Sequence, residues 1–181
     1  MTIICAYYDT EEQLVYLGSN SRSRRGGTII PGDSSKWSFY GDWAMATTGG
    51  GLPSDLVEAR REKFPQSPDA HEVVRFIRKS YEITGFGEKE DGAQDYNCSS
   101  ILVHSSGKIF DVDGTLSLAE VNPGAFWALG SGMDYALGAA FVAKQRGYAA
   151  REMMQLALEA AIEIDTYSPG QPNILTKTVA A

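Results

Sequence analysis

Apolar residues come in short bursts at the start of the chain. Ile3-Ile4-Cys5-Ala6-Tyr7-Tyr8 and Leu14-Val15-Tyr16-Leu17-Gly18 flank the polar Asp9-Thr10-Glu11-Glu12, a pattern that predicts a hairpin over residues 2–8 and 13–18. Further β-prone segments stand at 28–30, 36–40 and 43–48, where Gly49-Gly50-Gly51 stops them. Ser54 is placed to cap a helix reaching about Phe64, with Leu56, Val57 and Arg60 setting its faces. Ser67-Pro68-Asp69 opens a second helix, with Pro68 at the first helical position, where its missing N–H costs nothing. Val73, Val74, Ile77 and Tyr81 then recur at helical spacing, and Gly85 supplies a left-handed stop.

Beyond an acidic, solvated loop at Gly87–Asp95, residues 97–104 and 108–112 flank Ser105-Ser106-Gly107 as a second hairpin, and Phe126–Leu129 reads as one more buried strand. Residues 133–146 carry so small a polar face that this helix is expected to be buried all round. A last helix spans about Ala149 to Asp165, with Met153, Leu156, Ala157, Ala160 and Ile164 on one side. Strands, two helices, strands, two helices: the order predicts two packed sheets with a helical layer outside each, an α+β arrangement.

Composition narrows the picture. The 181 residues suffice for one domain with a substantial core, no linker divides them, and 43% are hydrophobic without any run long enough to span a bilayer. The first residues lack a basic segment and a small-residue cleavage site, so a cytoplasmic location is the default expectation. A net charge of −7 argues against nucleic acid as a partner, since basic surface supplies that affinity. Cys5 and Cys98 sit in apolar segments without metal-ligand spacing and read as core residues. His71 and His104 give a Ser-His-Asp triad little support.

Candidate chemistry starts at residue 2. Removal of Met1 before so small a residue leaves a threonine whose hydroxyl is a nucleophile and whose own α-amine is a base within reach. Lys36, in Pro31-Gly32-Asp33-Ser34-Ser35-Lys36-Trp37, would favour the deprotonated forms of both groups if placed beside them. The glycines at 49–51 and Gly130-Ser131-Gly132 let backbone N–H groups approach a ligand, and either set could face a developing oxyanion or simply form a turn. Ser131 also fits the role of an N-cap. Asp165 ends a helix where the macrodipole disfavours a carboxylate, and Ser168 follows three residues later. Arg22, Arg24 and Arg25 crowd one loop, as a basic patch, a subunit contact or a substrate contact.

Taken together, these positions make the chain resemble the proteasome β-subunit superfamily of N-terminal-nucleophile hydrolases, especially its short bacterial members of the HslV type, from Thr2 to about Ser168. The resemblance implies a four-layer αββα sandwich over residues 1–181. It casts Thr2 as nucleophile, Lys36 as the lysine that tunes it, and Gly51 as the oxyanion-hole glycine, with Gly50 an alternative. Ser131, Asp165 and Ser168 match the residues that complete the site. It further implies a polypeptide substrate and homo-oligomeric rings stacked face to face. Neither metal nor organic cofactor is required, and an ATP-dependent unfoldase is a partner that the sequence does not identify.

The chain departs from the family pattern at Asn20. The family places an aspartate there to pair with the lysine; an amide removes that charge, which lowers the lysine pKa and makes Lys36 itself a candidate base. A silent ring subunit that keeps the fold without turnover, or a small-amide or acyl hydrolase using the same nucleophile, are the rival readings.

Overall fold

The computed structural model describes residues 2–25, 28–30, 32–90 and 93–179. The chain opens with β1 (Ile3–Asp9), β2 (Leu14–Asn20), a small hairpin of β3 (Ser23–Arg25) and β4 (Thr28–Ile30), then β5 (Ser38–Tyr40) and β6 (Trp43–Thr47). Helices α1 (Leu52–Glu58) and α2 (Ala70–Glu82) come next. A second β stretch follows: β7 (Glu88–Glu90), β8 (Ala93–Asp95), β9 (Ser100–His104), β10 (Ile109–Val112), β11 (Leu118–Val121) and β12 (Phe126–Gly130). Then come α3 (Met133–Gln145), α4 (Ala150–Ile164) and β13 (Pro172–Thr178).

Two antiparallel sheets carry the architecture, one ordered β12-β1-β2-β13 and the other β11-β10-β9-β6-β5. Side-chain alternation decides what each face covers. Along β1, Ile3 and Cys5 point at Met154, Ala157 and Leu158 of α4, while Ile4 and Ala6 point at the other sheet. Along β6, Trp43 and Met45 pack with Val73, Ile77 and Tyr81 of α2, while Ala44 and Ala46 meet Ile4 and Leu17. Strands covered on both sides read as continuous apolar runs, which is why the bursts in the sequence do not alternate with polar residues. Each fully buried Ile, Leu or Val of this core contributes about 1.5–3 kcal/mol. The resulting layers are helix, sheet, sheet, helix, the αββα sandwich implied by the element order.

Several local expectations change. Helix α1 starts at Leu52 with Gly51 as N-cap and Pro53 in its first turn, so Ser54 is not the cap, and the helix gives way to a 3₁₀ turn at Arg61–Lys63 before reaching Phe64. Helix α2 starts at Ala70, because the Asp69 side chain accepts from His71 N and so caps it; Pro68 lies outside. The segment at 87–95, expected as a loop, holds the paired strands β7 and β8, and β3 makes a hairpin of the arginine-rich loop. The side chains of Arg24 and Arg25 lie outside the described part, as do Met1, Gly26, Gly27 and Pro31. Strands β11 and β13 were not foreseen. Helix α3 is not buried all round: Phe141 is 66% exposed and Val142 55%, beside Tyr135, Leu156 and Ile164. Leu156 and Ile164 therefore do not share the buried side of α4, which is formed by Met153, Met154, Ala157, Leu158 and Ala161.

Candidate active site

Thr2 enters β1 half-buried, immediately before Ile3 pairs with Gly130 of β12. Gly130 has φ +110, and a Cβ built there would lie 1.7 Å from the Thr2 carbonyl oxygen. Only glycine permits both that backbone conformation and so close an approach. Strand β12 thereby delivers the next residue, Ser131, beside the first residues of β1.

Ser131 is not an N-cap: Gly132 caps α3, and Ser131 Oγ donates to Asp165 Oδ2 at 2.5 Å. Ser168 Oγ donates to the same oxygen at 2.7 Å, and Tyr167 N donates to Asp165 Oδ1 at 3.0 Å. These donors explain the carboxylate at a helix C-terminus, which the macrodipole alone would oppose. Burial pushes the Asp165 pKa up, but the hydroxyls of Ser131 and Ser168 and the Tyr167 N–H outweigh it and hold the carboxyl below its usual range. Gly132 makes room for the cluster, since a Cβ there would come within 2.9 Å of Ala161 Cβ and 3.5 Å of Asp165 Cβ.

A depressed carboxyl pKa stabilises the fold above the unfolded value of about 3.9 and loses that contribution as pH falls through the lower folded value. Asp165→Asn is accordingly expected to cost about 1.5–3 kcal/mol at pH 7, the range for hydrogen bonds to a charged group. Urea denaturation of both proteins should show that gap narrowing toward pH 3. A gap independent of pH would show that the charge does not matter.

Asn20 is fully buried at the end of β2. Its Oδ1 accepts from Ile3 N at 3.1 Å, and its Nδ2 donates to Arg22 O at 2.7 Å and Pro169 O at 2.8 Å. One amide thus ties the first strand to the loop that follows α4. Ser21 continues the seam: its N–H donates to Gln171 O, its Oγ accepts from Gln171 N and donates to Asp33 Oδ1 at 2.8 Å, and its carbonyl accepts from Ser34 N. Hydrogen bonds from Ser21 and Arg22 hold the Asp33 carboxyl below its usual range.

Lys36 closes this seam on the other side. Its Nζ donates to Ser23 Oγ, its hydrogen-bond partner among the described residues, and burial pushes its pKa below the ordinary lysine value. Asn20 makes no bond to Lys36. Gly51 stands apart from the bonded seam, as the N-cap of α1, with Asp55 Oδ2 4.0 Å from where a Cβ would be. Gly49 is a packing glycine, its absent Cβ 2.3 Å from Asn97 O, whereas Gly50 at φ +135 is open.

The structure therefore joins Thr2, Asn20, Ser131, Asp165 and Ser168 through β1, β2, β12 and the loop after α4, and brings Lys36 to the segment three residues past Asn20. Cys5 and Cys98 are buried and free, burial pushing both thiols up, in keeping with a core role. His104 shares a hydrogen bond with Ser106 Oγ and packs edge-on against Trp43, an arrangement of strand and turn. Ser21, Ser23 and Asp33 join the seam without any motif in the sequence to single them out. The available signal was the unbroken polar run Ser19-Asn20-Ser21 closing a buried strand.

Against solved structures, the chain superposes on BPH from Thiobacillus denitrificans in complex with epoxomicin with a TM-score of 0.78, at 18% identity and over 100% of both chains. A second BPH structure from the same organism gives 0.77 at 19% identity over 99% of each chain. Eukaryotic HslV from Trypanosoma brucei gives 0.73 at 17%, over 98% of this chain and 99% of that one. The fold is the HslV-type fold. No protein-family model and no curated protein sequence matches. The HslV-type fold accounts for the two helical layers and for β1 as an inner strand whose first residue borders β12. No helix among the described residues is long and apolar enough to cross a membrane.

Proposed function

We propose that this protein is a threonine-type peptidase subunit that works from residue 2 once Met1 is removed. The observation that carries the reading is the contact of Gly130 with the Thr2 carbonyl, which sets residue 2 against the strand leading to the Ser131–Asp165–Ser168 cluster. In this reading Thr2 Oγ attacks a peptide carbonyl carbon while its proton passes to the freed α-amine or to neutral Lys36. The Gly51 N–H at the start of α1 donates to the oxyanion. Collapse of the intermediate breaks the C–N bond, the leaving amine takes the proton, and water hydrolyses the ester to restore Thr2.

Ring assembly is the companion proposal. It is supported by the uncovered apolar face of α3 and α4, where Tyr135, Val142 and Leu156 border an open groove of about 1150 Å³. Groups of this size and character are covered by association in most proteins that keep them.

Intact mass before and after treatment with a β-lactone or with epoxomicin tests the reading. Loss of one methionine, a single adduct, and disappearance of that adduct in Thr2→Ala are expected, together with a fall in peptide turnover of at least about 10³-fold. Retained methionine without an adduct would mean a silent subunit. An adduct with turnover of N-acyl amides but not of peptides would mean a small-amide hydrolase.

A further inference from the structure

We infer that Ser23 is the positioning residue for Lys36, standing in for the carboxylate that Asn20 does not supply. The Asn20 side chain is engaged elsewhere: its oxygen accepts from Ile3 N–H, and both of its N–H groups donate to carbonyls, Arg22 O and Pro169 O. Asp33, the carboxylate nearest in sequence to Lys36, is engaged by Ser21 and Arg22. What meets the lysine is a hydroxyl, Ser23 Oγ, at the start of β3.

A hydroxyl differs from a carboxylate in one respect that matters here. A carboxylate only accepts, so it favours the ammonium and opposes its deprotonation. A serine hydroxyl accepts from Lys–NH₃⁺ and, by rotating, donates to the lone pair of Lys–NH₂. Ser23 therefore keeps the lysine aimed in both protonation states without fixing either. With the amine half-buried, loss of its proton is easier than from an exposed lysine, and the neutral amine held by Ser23 is a proton acceptor. Balance is simple: Lys36 Nζ takes a proton from the attacking hydroxyl, a new N–H bond forms as an O–H bond breaks, and Ser23 reverses from donor to acceptor. The leaving amine later takes that proton back.

The part of this inference that concerns catalysis rests on Thr2 being the nucleophile; the coupling of Ser23 to Lys36 does not. The two separate in one experiment. The pH dependence of acylation of Lys36 by a trace amine-reactive label, read by peptide mass spectrometry, gives its titration midpoint in the wild type, Ser23→Thr, Ser23→Ala and Ser23→Asp. Alongside it, the pH profile of Thr2 acylation by a β-lactone is recorded, with folding checked by circular dichroism.

Ser23→Asp is expected to restore the ion pair and raise the Lys36 midpoint, with labelling at pH 8 falling by up to about tenfold for each unit by which the midpoint rises. Ser23→Thr should keep the wild-type midpoint. Ser23→Ala should lower it, because the charge-assisted bond to the ammonium is stronger than the bond to the neutral amine, and the alkaline-side rise of the Thr2 profile should follow Lys36 across the series. Identical Lys36 midpoints in folded wild type, Ser23→Ala and Ser23→Asp would overturn the inference. Shifted midpoints with an unreactive Thr2 in every protein would leave Ser23 as the partner of Lys36 and remove the peptidase reading instead.

Discussion

Asn20→Asp is expected to destabilise the protein by about 2–6 kcal/mol at pH 8 rather than to restore an active ion pair. The reason lies in what the amide nitrogen faces: two carbonyl oxygens, Arg22 O at 2.7 Å and Pro169 O at 2.8 Å. A carboxylate oxygen in that place has no proton for either, so two buried acceptors lose their donor, at roughly 1–3 kcal/mol each, and a charge is added between them. Protonation relieves only one of the two contacts. The new carboxyl should thus have a folded pKa above its unfolded value, which places the loss on the alkaline side. The variant should be nearest the wild type below about pH 3.9 and weaken as pH rises through the higher folded value. Chemical denaturation at pH 4 and pH 8 measures this. A variant as stable as the wild type at both would show that the amide is a passive replacement. The departure at residue 20 is thereby more than a missing charge, because the amide is a three-way tie between two strands and a loop.

Gly130→Ala should be worse. At φ +110 any L side chain is strained, and the new methyl would start 1.7 Å from the Thr2 carbonyl oxygen, so strand β12 or the first residues of β1 must move. Backbone strain of this kind costs about 1–3 kcal/mol, and forced overlap in a packed site adds about 1–3 more. Gly124→Ala is the proper comparison. Its φ of +74 is also left-handed, but nothing lies within 4 Å of the added atom, so it should cost only about 1 kcal/mol. The difference between the two, read from denaturant midpoints, isolates the contact with Thr2. Equal losses would mean that the first residues yield without cost. The same variant should also abolish labelling of Thr2 under conditions in which Gly124→Ala labels normally.

Most of the layer order was legible from apolar bursts, because strands buried on both faces and helices with one buried face differ in period. Strand β13 was hidden for a physical reason. It follows Ser168-Pro169-Gly170, which reads as an ending, begins at Pro172, and carries Asn173, Thr176, Lys177 and Thr178 on a half-buried edge. Its register comes from the edge of β2, whose paired residues lie 152 to 164 positions away and which no local pattern records. Helix α3 misled in the opposite way: composition gives its apolarity, but only packing shows which side α4 covers and which stays open. At the site, Thr2 and Gly130, both singled out in the sequence, lie where the structure sets β1 and β12 side by side. The bonds did not follow, since Ser23 sits between arginines with no spacing to distinguish it, and the three contacts of Asn20 come from parts of the chain far apart.

The hydrogen bond from Asn20 to Pro169 spans 149 residues, and those from Ser21 to Gln171 span 150. At synthesis rates of about 5–20 residues per second, roughly 7–30 s separate the emergence of Asn20 from that of its last partner. Throughout that interval residue 2 lacks the carboxylate cluster of Asp165 and the loop that anchors the strand behind it. The arrangement orders assembly: a chain still on the ribosome carries Ile3, Asn20 and Ser21 without the loop that holds them, and the seam closes only when the chain is nearly whole.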